Sequence, residues 1–168
     1  MTATADTEIQ VLLSVLDAQR RHVLGILDGL APEALRRPVL PSGWSCLGLV
    51  QHLALDVERF WFRAVITGDP AVIEALDDID EAWQVAPGVS HTEVLDRYRA
   101  EADLTNAAVA TADADTPLAW WPLHLFGEPH LHTVRDVLLH VIAETACHAG
   151  HLDAARELID GRQWMVLT

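Results

Sequence analysis

Residues 140–153 read HVIAETACHAGHLD, and their spacing decides how the rest of the chain is read. In a helix each residue turns the chain by about 100°, so His140, Glu144, His148 and His151 fall on one narrow stripe. Unpaired imidazoles and a carboxylate are costly to bury, yet Val141, Ile142, Ala143, Ala146, Ala149 and Leu152 leave little room for a separate polar face. The stripe asks for a partner, and a metal ion is the partner these side chains have in common. Thr133 is placed to cap the helix and Gly161 to end it, so the last helix reads VRDVLLHVIAETACHAGHLDAARELID.

Working outward, a second stretch carries a matching feature. After the loop PVLPSGWS, with Ser45 in capping position, the sequence CLGLVQHLALDVERFWFRAVI predicts a helix over 46–66. It is apolar on most sides, as a helix buried in a bundle is. His52 sits in its middle, with Asp56 at i+4 and Arg59 at i+7 on the same line. Alone, His52 reads most simply as a satisfied core histidine beside an ion pair. Beside the last helix, it reads as the third corner of a shared site, because bundle proteins build metal centres from facing helices.

Two more helices complete the set. Val11, Leu12, Val15, Leu16, Val23, Leu24 and Leu27 recur at helical spacing over 8–30, with Arg20, Arg21 and Asp28 among the polar positions. Pro32 opens a short turn over 33–36. Ser90 with Glu93 is a capping-box signature, predicting a helix over 91–112 with Val94, Leu95, Tyr98, Leu104 and Ala108 inward. The acidic stretch 71–90 reads as a loop with a short helical turn, packed by Trp83. Residues 118–132, LAWWPLHLFGEPHLH, follow no period and predict an irregular segment over one end of the bundle. The tail QWMVLT is too apolar to be a free end and predicts packing on the domain or a partner; a homodimer is one form this takes.

The expectation is an all-α four-helix bundle forming a single domain over 1–168. No apolar run approaches the roughly 18 to 20 residues of a membrane span, and MTATADTEIQ lacks the marks of a secretory signal. Eleven Lys plus Arg against 25 Asp plus Glu leave a formal charge of −14, which excludes the cationic surface that nucleic acid or an anionic membrane requires. Two cysteines, Cys46 and Cys147, are too few for a disulfide framework. Each reads as a small buried apolar residue, and a cytoplasmic location is expected.

A His from one helix and an i, i+4 pair from another fill three corners of a tetrahedron and leave the fourth open, the mark of a catalytic site. Such a His/Glu set suits Zn²⁺ and tolerates Ni²⁺, Fe²⁺ or Mn²⁺.

GWSCLGLVQHL together with ETACHAGHLDAARELIDG resembles the DinB-like superfamily, specifically its actinobacterial DUF664 branch, over nearly the whole chain. The resemblance implies an up-up-down-down four-helix bundle holding a divalent metal, with His52, Glu144 and His148 as ligands. The bundle is also shared with mycothiol-dependent maleylpyruvate isomerases, whose additional C-terminal domain this chain lacks. By the same resemblance His151 is an outer residue or alternative ligand, and His140 supports a ligand from behind. The implied activity is a metal-dependent thiol S-transferase joining mycothiol to a small electrophile. Asp56 and Arg59 would then serve the thiol, and Trp120, Trp121 and Phe126 would wall the acceptor; simple loop packing explains those aromatics equally well. Two other classes stay open: a non-catalytic, stress-associated metal-binding bundle that dimerises, marked by four enclosing ligands, and a metal-dependent hydrolase with Asp56 as base.

Overall fold

Thr7–Leu27 forms α1, and its inward positions keep the helical period, with Ile9, Leu16, Val23, Ile26 and Leu27 buried. The computed structural model describes residues 7–78 and 82–165. A short α2 (Pro32–Arg36) begins on Pro32, whose missing N–H costs nothing at a helix start. At the head of α3 (Cys46–His52), Ser45 Oγ accepts from the Gly48 N–H at 3.1 Å. The chain continues into Leu53–Ile66, wound as a π-helix; the sequence predicts ordinary α winding there. Its end shows the wider turn directly, with the Thr67 N–H donating to the Phe62 carbonyl at 3.1 Å. Such turns gather at functional sites.

Beyond it lie α4 (Pro70–Glu74), a 3₁₀ turn (Ala75–Asp78), α5 (His91–Val109), α6 (Leu123–Phe126) and α7 (Val134–Asp160). Both long late helices open on capping boxes, Ser90 with Glu93 and Thr133 with Asp136. The last closes on Gly161 at φ 79°, a left-handed position that glycine takes without strain.

Cross-links set the helix directions. Arg135 at the start of α7 grips Glu8 at the start of α1, with Nη2 donating to Oε2 at 2.8 Å. Near the other end, Arg156 Nη1 donates to the carbonyls of Ile26 at 2.5 Å and Asp28 at 2.9 Å. The first and last long helices are therefore parallel. His52 meets His148 and Trp61 meets His140, so α3 and its continuation run opposite to α7. The approach to α5 lies beside α3, where Gln51 Nε2 donates to the Ala82 carbonyl at 2.8 Å. Its far end lies beside the start of α7, where the Arg135 N–H donates to the Ala114 carbonyl at 3.0 Å.

The all-α four-helix class is as expected. The parallel consecutive pair, however, is the middle two long helices, because the chain after Ile66 returns to the head of α3 before α5 begins.

The irregular segment ahead of α7 covers one end of the bundle, with Ala119 and Trp120 N–H groups both donating to the Val65 carbonyl at 3.2 Å. Its extended pairing is one bridge between Pro117 and Thr133, and no strand forms among the described residues. The apolar tail packs on the domain: Asp153 accepts from the N–H groups of Trp164 at 2.7 Å and Met165 at 3.0 Å. The indole lies so close over Gly25 that a Cβ there would come within 2.4 Å of it. Residues 166–168 of that tail lie outside the described residues. Among the described residues, no helix is long and apolar enough to cross a membrane.

Three positions depart from the sequence reading. Arg20, expected at the surface, is 4 % exposed because Glu58 draws it inward. Leu104, expected inside, is 48 % exposed, and neighbouring Thr105 is buried with its hydroxyl donating to Glu58 Oε2 at 2.8 Å. Cys46 is buried, which pushes its thiol up to about 11. Cys147 is exposed, since it lies on the outer side of α7 next to the inward His148.

Candidate metal centre

His52 is the last residue of α3, and its ring is held from one side by its own helix. His52 Nδ1 shares a hydrogen bond with Asp56 Oδ2 at 2.8 Å, the i+4 contact predicted from spacing. That leaves Nε2 for a ligand. On α7, His148 is 9 % exposed. Its Nε2 lies 3.2 Å from Glu144 Oε1, and its Nδ1 lies 3.4 Å from His151 Nδ1. Ligand-type atoms of His52, Glu144 and His148 all lie within 4.8 Å of one another. Two imidazoles and a carboxylate so gathered from facing helices are a donor set that a single divalent ion fits.

The outer residues sort differently from the sequence reading. His151 does contact a candidate ligand, at the rear nitrogen of His148. His140, expected to support a ligand, packs its ring against Trp61 with centroids 4.6 Å apart. Asp56 is engaged with His52, and a carboxylate behind an imidazole fixes which ring nitrogen carries the proton and how the ring is oriented. Arg59 stands half-exposed, without a hydrogen bond among the described residues, and the π winding of Leu53–Ile66 takes it off the line that α-helical spacing from His52 predicts. Trp120, Trp121 and Phe126 pack with Phe60 and Trp61. That cluster borders His140, roughly 6 Å along α7 from Glu144 at ~1.5 Å of rise per residue.

Trp83 is the residue whose role sequence reasoning missed. Its indole stacks on His52, with centroids 4.1 Å apart and planes 18° from parallel, and meets His148 edge-on at 5.6 Å. Two residues of α3 put it there. Gln51 Nε2 donates to the carbonyls of Ala82 at 2.8 Å and Gln84 at 3.2 Å, tying down the segment on either side. Gly48 lets the backbone of that segment approach, since a Cβ there would sit 2.0 Å from the Trp83 carbonyl oxygen. The available signal was Gly48 itself, since a glycine inside a helix is destabilising unless something approaches closely. Gly48→Ala is expected to cost about 1–3 kcal/mol through overpacking against that carbonyl and to displace Trp83 from His52. Thermal unfolding and indole fluorescence check both effects, and an unchanged Tm rules out the close approach.

Burial holds both His148 and His140 below the ordinary histidine range; for His148 the neighbouring His52 adds to the shift. A neutral imidazole is the form that binds a metal. For the metal-free protein the sign is direct. The unfolded chain takes up protons near pH ~6.5 while the folded chain resists, so stability is fully present above that pH and falls as the pH drops through the lowered folded values. His148→Gln is expected to flatten this slope between pH 7.5 and 5, measured by urea unfolding after chelation. An equal slope in both proteins contradicts the assignment.

The family model for mycothiol-S-transferase matches residues 11–161, which take in most of α1, the other three long helices and every candidate ligand. The chain belongs to the mycothiol-S-transferase family. Membership bears out the DinB-like resemblance carried by GWSCLGLVQHL and ETACHAGHLD. No curated protein and no solved structure shows a significant match.

Proposed function

We propose that this protein is a divalent-metal-dependent S-transferase that joins the sulfur of mycothiol to a small electrophile, with His52, Glu144 and His148 holding the metal in one domain spanning 1–168. The observation that carries the reading is the convergence of those three donor groups, together with the family match over them. Three protein ligands leave a coordination position open, as catalytic zinc sites do; zinc fits the donor set best, with Ni²⁺, Fe²⁺ and Mn²⁺ tolerated. When bound, the ion supplies the positive charge that keeps an incoming sulfur deprotonated at neutral pH.

The residues do the remaining work. Asp56 holds His52 by Nδ1 and turns its Nε2 inward. His151 occupies the rear of His148. Trp83 shields one face of the His52 imidazole from water, which strengthens every charge interaction there. In this reading the aromatic cluster of Trp120, Trp121 and Phe126 would form an apolar wall for the acceptor. Because Asp56 is engaged with His52, it serves orientation rather than the free general base a hydrolase would need.

The test is conjugation of mycothiol to a generic electrophile such as monobromobimane, by protein loaded with Zn²⁺, stripped with chelator, and reloaded. Turnover is expected to disappear on stripping and return on reloading. Equal rates in loaded and stripped protein defeat the proposal.

A further inference from the structure

The outer side of α7 is a helix face that none of the described residues covers. Leu139, Ala143, Cys147, Gly150, Ala154 and Leu158 are all exposed, the two leucines to 51 % and 60 %. At about 100° per residue they fall within an arc of roughly 100°. From residue 137 to residue 155 the helix carries no Lys or Arg and two acidic side chains: Glu144, which joins the His52–His148 cluster, and Asp153, which is buried and holds the tail. A chain of formal charge −14 has left this face uncharged.

Gly150 marks the face as one that expects a neighbour. Glycine inside a helix is destabilising relative to alanine, and at the other two helical glycines the compensating contact is plain. A Cβ at Gly25 would come within 2.4 Å of Trp164, and one at Gly48 within 2.0 Å of the Trp83 carbonyl oxygen. A Cβ at Gly150 would meet nothing within 4 Å, so no contact inside this chain calls for the glycine.

The stripe is also symmetric about its own middle. From either end it runs leucine, alanine, two small residues, alanine, leucine, at spacings of four, four, three, four and four residues. A two-fold interface is self-complementary: where residue i meets j, j meets i. Laid antiparallel on a second copy, Leu139 meets the partner's Leu158, Ala143 meets the partner's Ala154 and Cys147 meets the partner's Gly150. An unrelated partner imposes no such palindrome.

α1 widens the face. It lies parallel to α7 with Glu8 beside Arg135 and Ile26 beside Arg156, so Val11 and Val15, 57 % and 41 % exposed, stand level with Leu139 and Ala143. By helical phase these valines share a line of α1 with His22, which accepts from the Trp164 indole. The same two-fold turns them toward the partner's Trp164. With ~1.5 Å of rise per residue and ~10 Å between helix axes, a face running from Leu139 to Leu158 and two helices wide covers about 600 Å² before its corrugation is counted, against ~800 Å² per partner in a standard interface.

We propose that the α1–α7 face is a homodimer interface in which α7 packs antiparallel on the α7 of a second copy, the two-fold axis passing between residues 148 and 149. This stands independently of the transferase reading.

The experiment is sedimentation velocity of the metal-loaded, full-length protein from micromolar to submillimolar concentration. Wild type is expected to sediment at twice the 18.5 kDa chain mass. Gly150→Glu is expected to raise the dimer dissociation constant at least a hundredfold with helical circular dichroism unchanged, since its side chain meets nothing inside the monomer. Ala107→Glu, the same charge at an exposed position of α5, is expected to shift it less than threefold. Orientation is read with a short bismaleimide in a Cys147→Ser background, Cys46 being buried. Mixed Ala143→Cys and Ala154→Cys proteins are expected to join each other at least tenfold faster than either joins itself, because self-linking must span about 16 Å along the helix axis. A monomeric wild type overturns the proposal and leaves the face to a partner of another kind. A dimer that survives Gly150→Glu overturns it as well, as does one in which self-linking prevails.

Discussion

Glu58→Ala is expected to destabilise the protein by about 3–5 kcal/mol, the cost of leaving a buried charge without its partner. Glu58 is 1 % exposed and takes both oxygens to Arg20, with Nε and Nη2 each donating at 2.6 Å. Thr105 adds a third donor, and Arg20 Nη1 continues to Asp17 at 2.7 Å and Asn106 at 2.8 Å. The cluster joins α1, α5 and the π-helical segment across the interior, so removing Glu58 leaves a buried guanidinium with only the partly exposed Asp17 as counter-charge in the cluster. Beside it, the hydroxyl of Tyr98 is buried without a hydrogen-bond partner among the described residues; burial pushes its phenol up, and Glu58 adds to the shift. The double replacement Arg20→Met with Glu58→Met is expected to recover most of the loss, because apolar residues of similar volume often match a buried ion pair. Urea unfolding of the single and double variants decides this. A loss below ~1 kcal/mol in Glu58→Ala would reduce the pair to the worth of a surface contact.

That cluster marks the boundary of what the sequence made legible. Helix limits were readable because their causes are local. Ser45, Ser90 and Thr133 each cap a helix, Pro32 starts a turn, Gly161 ends α7, and apolar periodicity does the rest. The His52–Asp56 and Glu144–His148 contacts were readable for the same reason, since each lies within four residues on one helix. The pairing of Arg20 with Glu58 was not, because 38 residues separate them and each looks like an ordinary surface charge alone. The same holds for Thr105, whose burial beside exposed Leu104 comes from a hydroxyl reaching Glu58 rather than from hydrophobicity.

Around the candidate site, the residue types that cluster were legible and the groups packed behind them were not. His140 and His151 have equal claims on the helical stripe, and only the neighbouring elements distinguish them: Trp61 takes the first, and the rear of His148 takes the second. Trp83 lies in a stretch with no period, and its place over His52 depends on Gly48 and Gln51 of another element. Helix directions depend in the same way on the path of a connection, here the return from Ile66 to the head of α3, which composition does not encode.

His148→Ala is expected to have the largest effect on function, removing metal and turnover together while the bundle stays folded. Its imidazole is the buried one of the two α7 residues proposed as ligands, and it stands between Glu144 and His151. Without it the ion would retain one imidazole and one half-exposed carboxylate, too few to fix a tetrahedral site. The loss should therefore exceed the ~10–100-fold expected for Asp56→Asn, which leaves all three ligands in place and weakens only the hold on His52 Nδ1. His140→Ala should fall below both, since its ring meets Trp61 and not a ligand. This order, His148→Ala above Asp56→Asn above His140→Ala, separates the proposed arrangement from a general loss of packing, which would scale with burial and leave metal content proportional to folded protein. Metal content by mass spectrometry, mycothiol turnover and far-ultraviolet circular dichroism on the same three variants read it out. Full metal occupancy in a folded His148→Ala protein would falsify the ligand set.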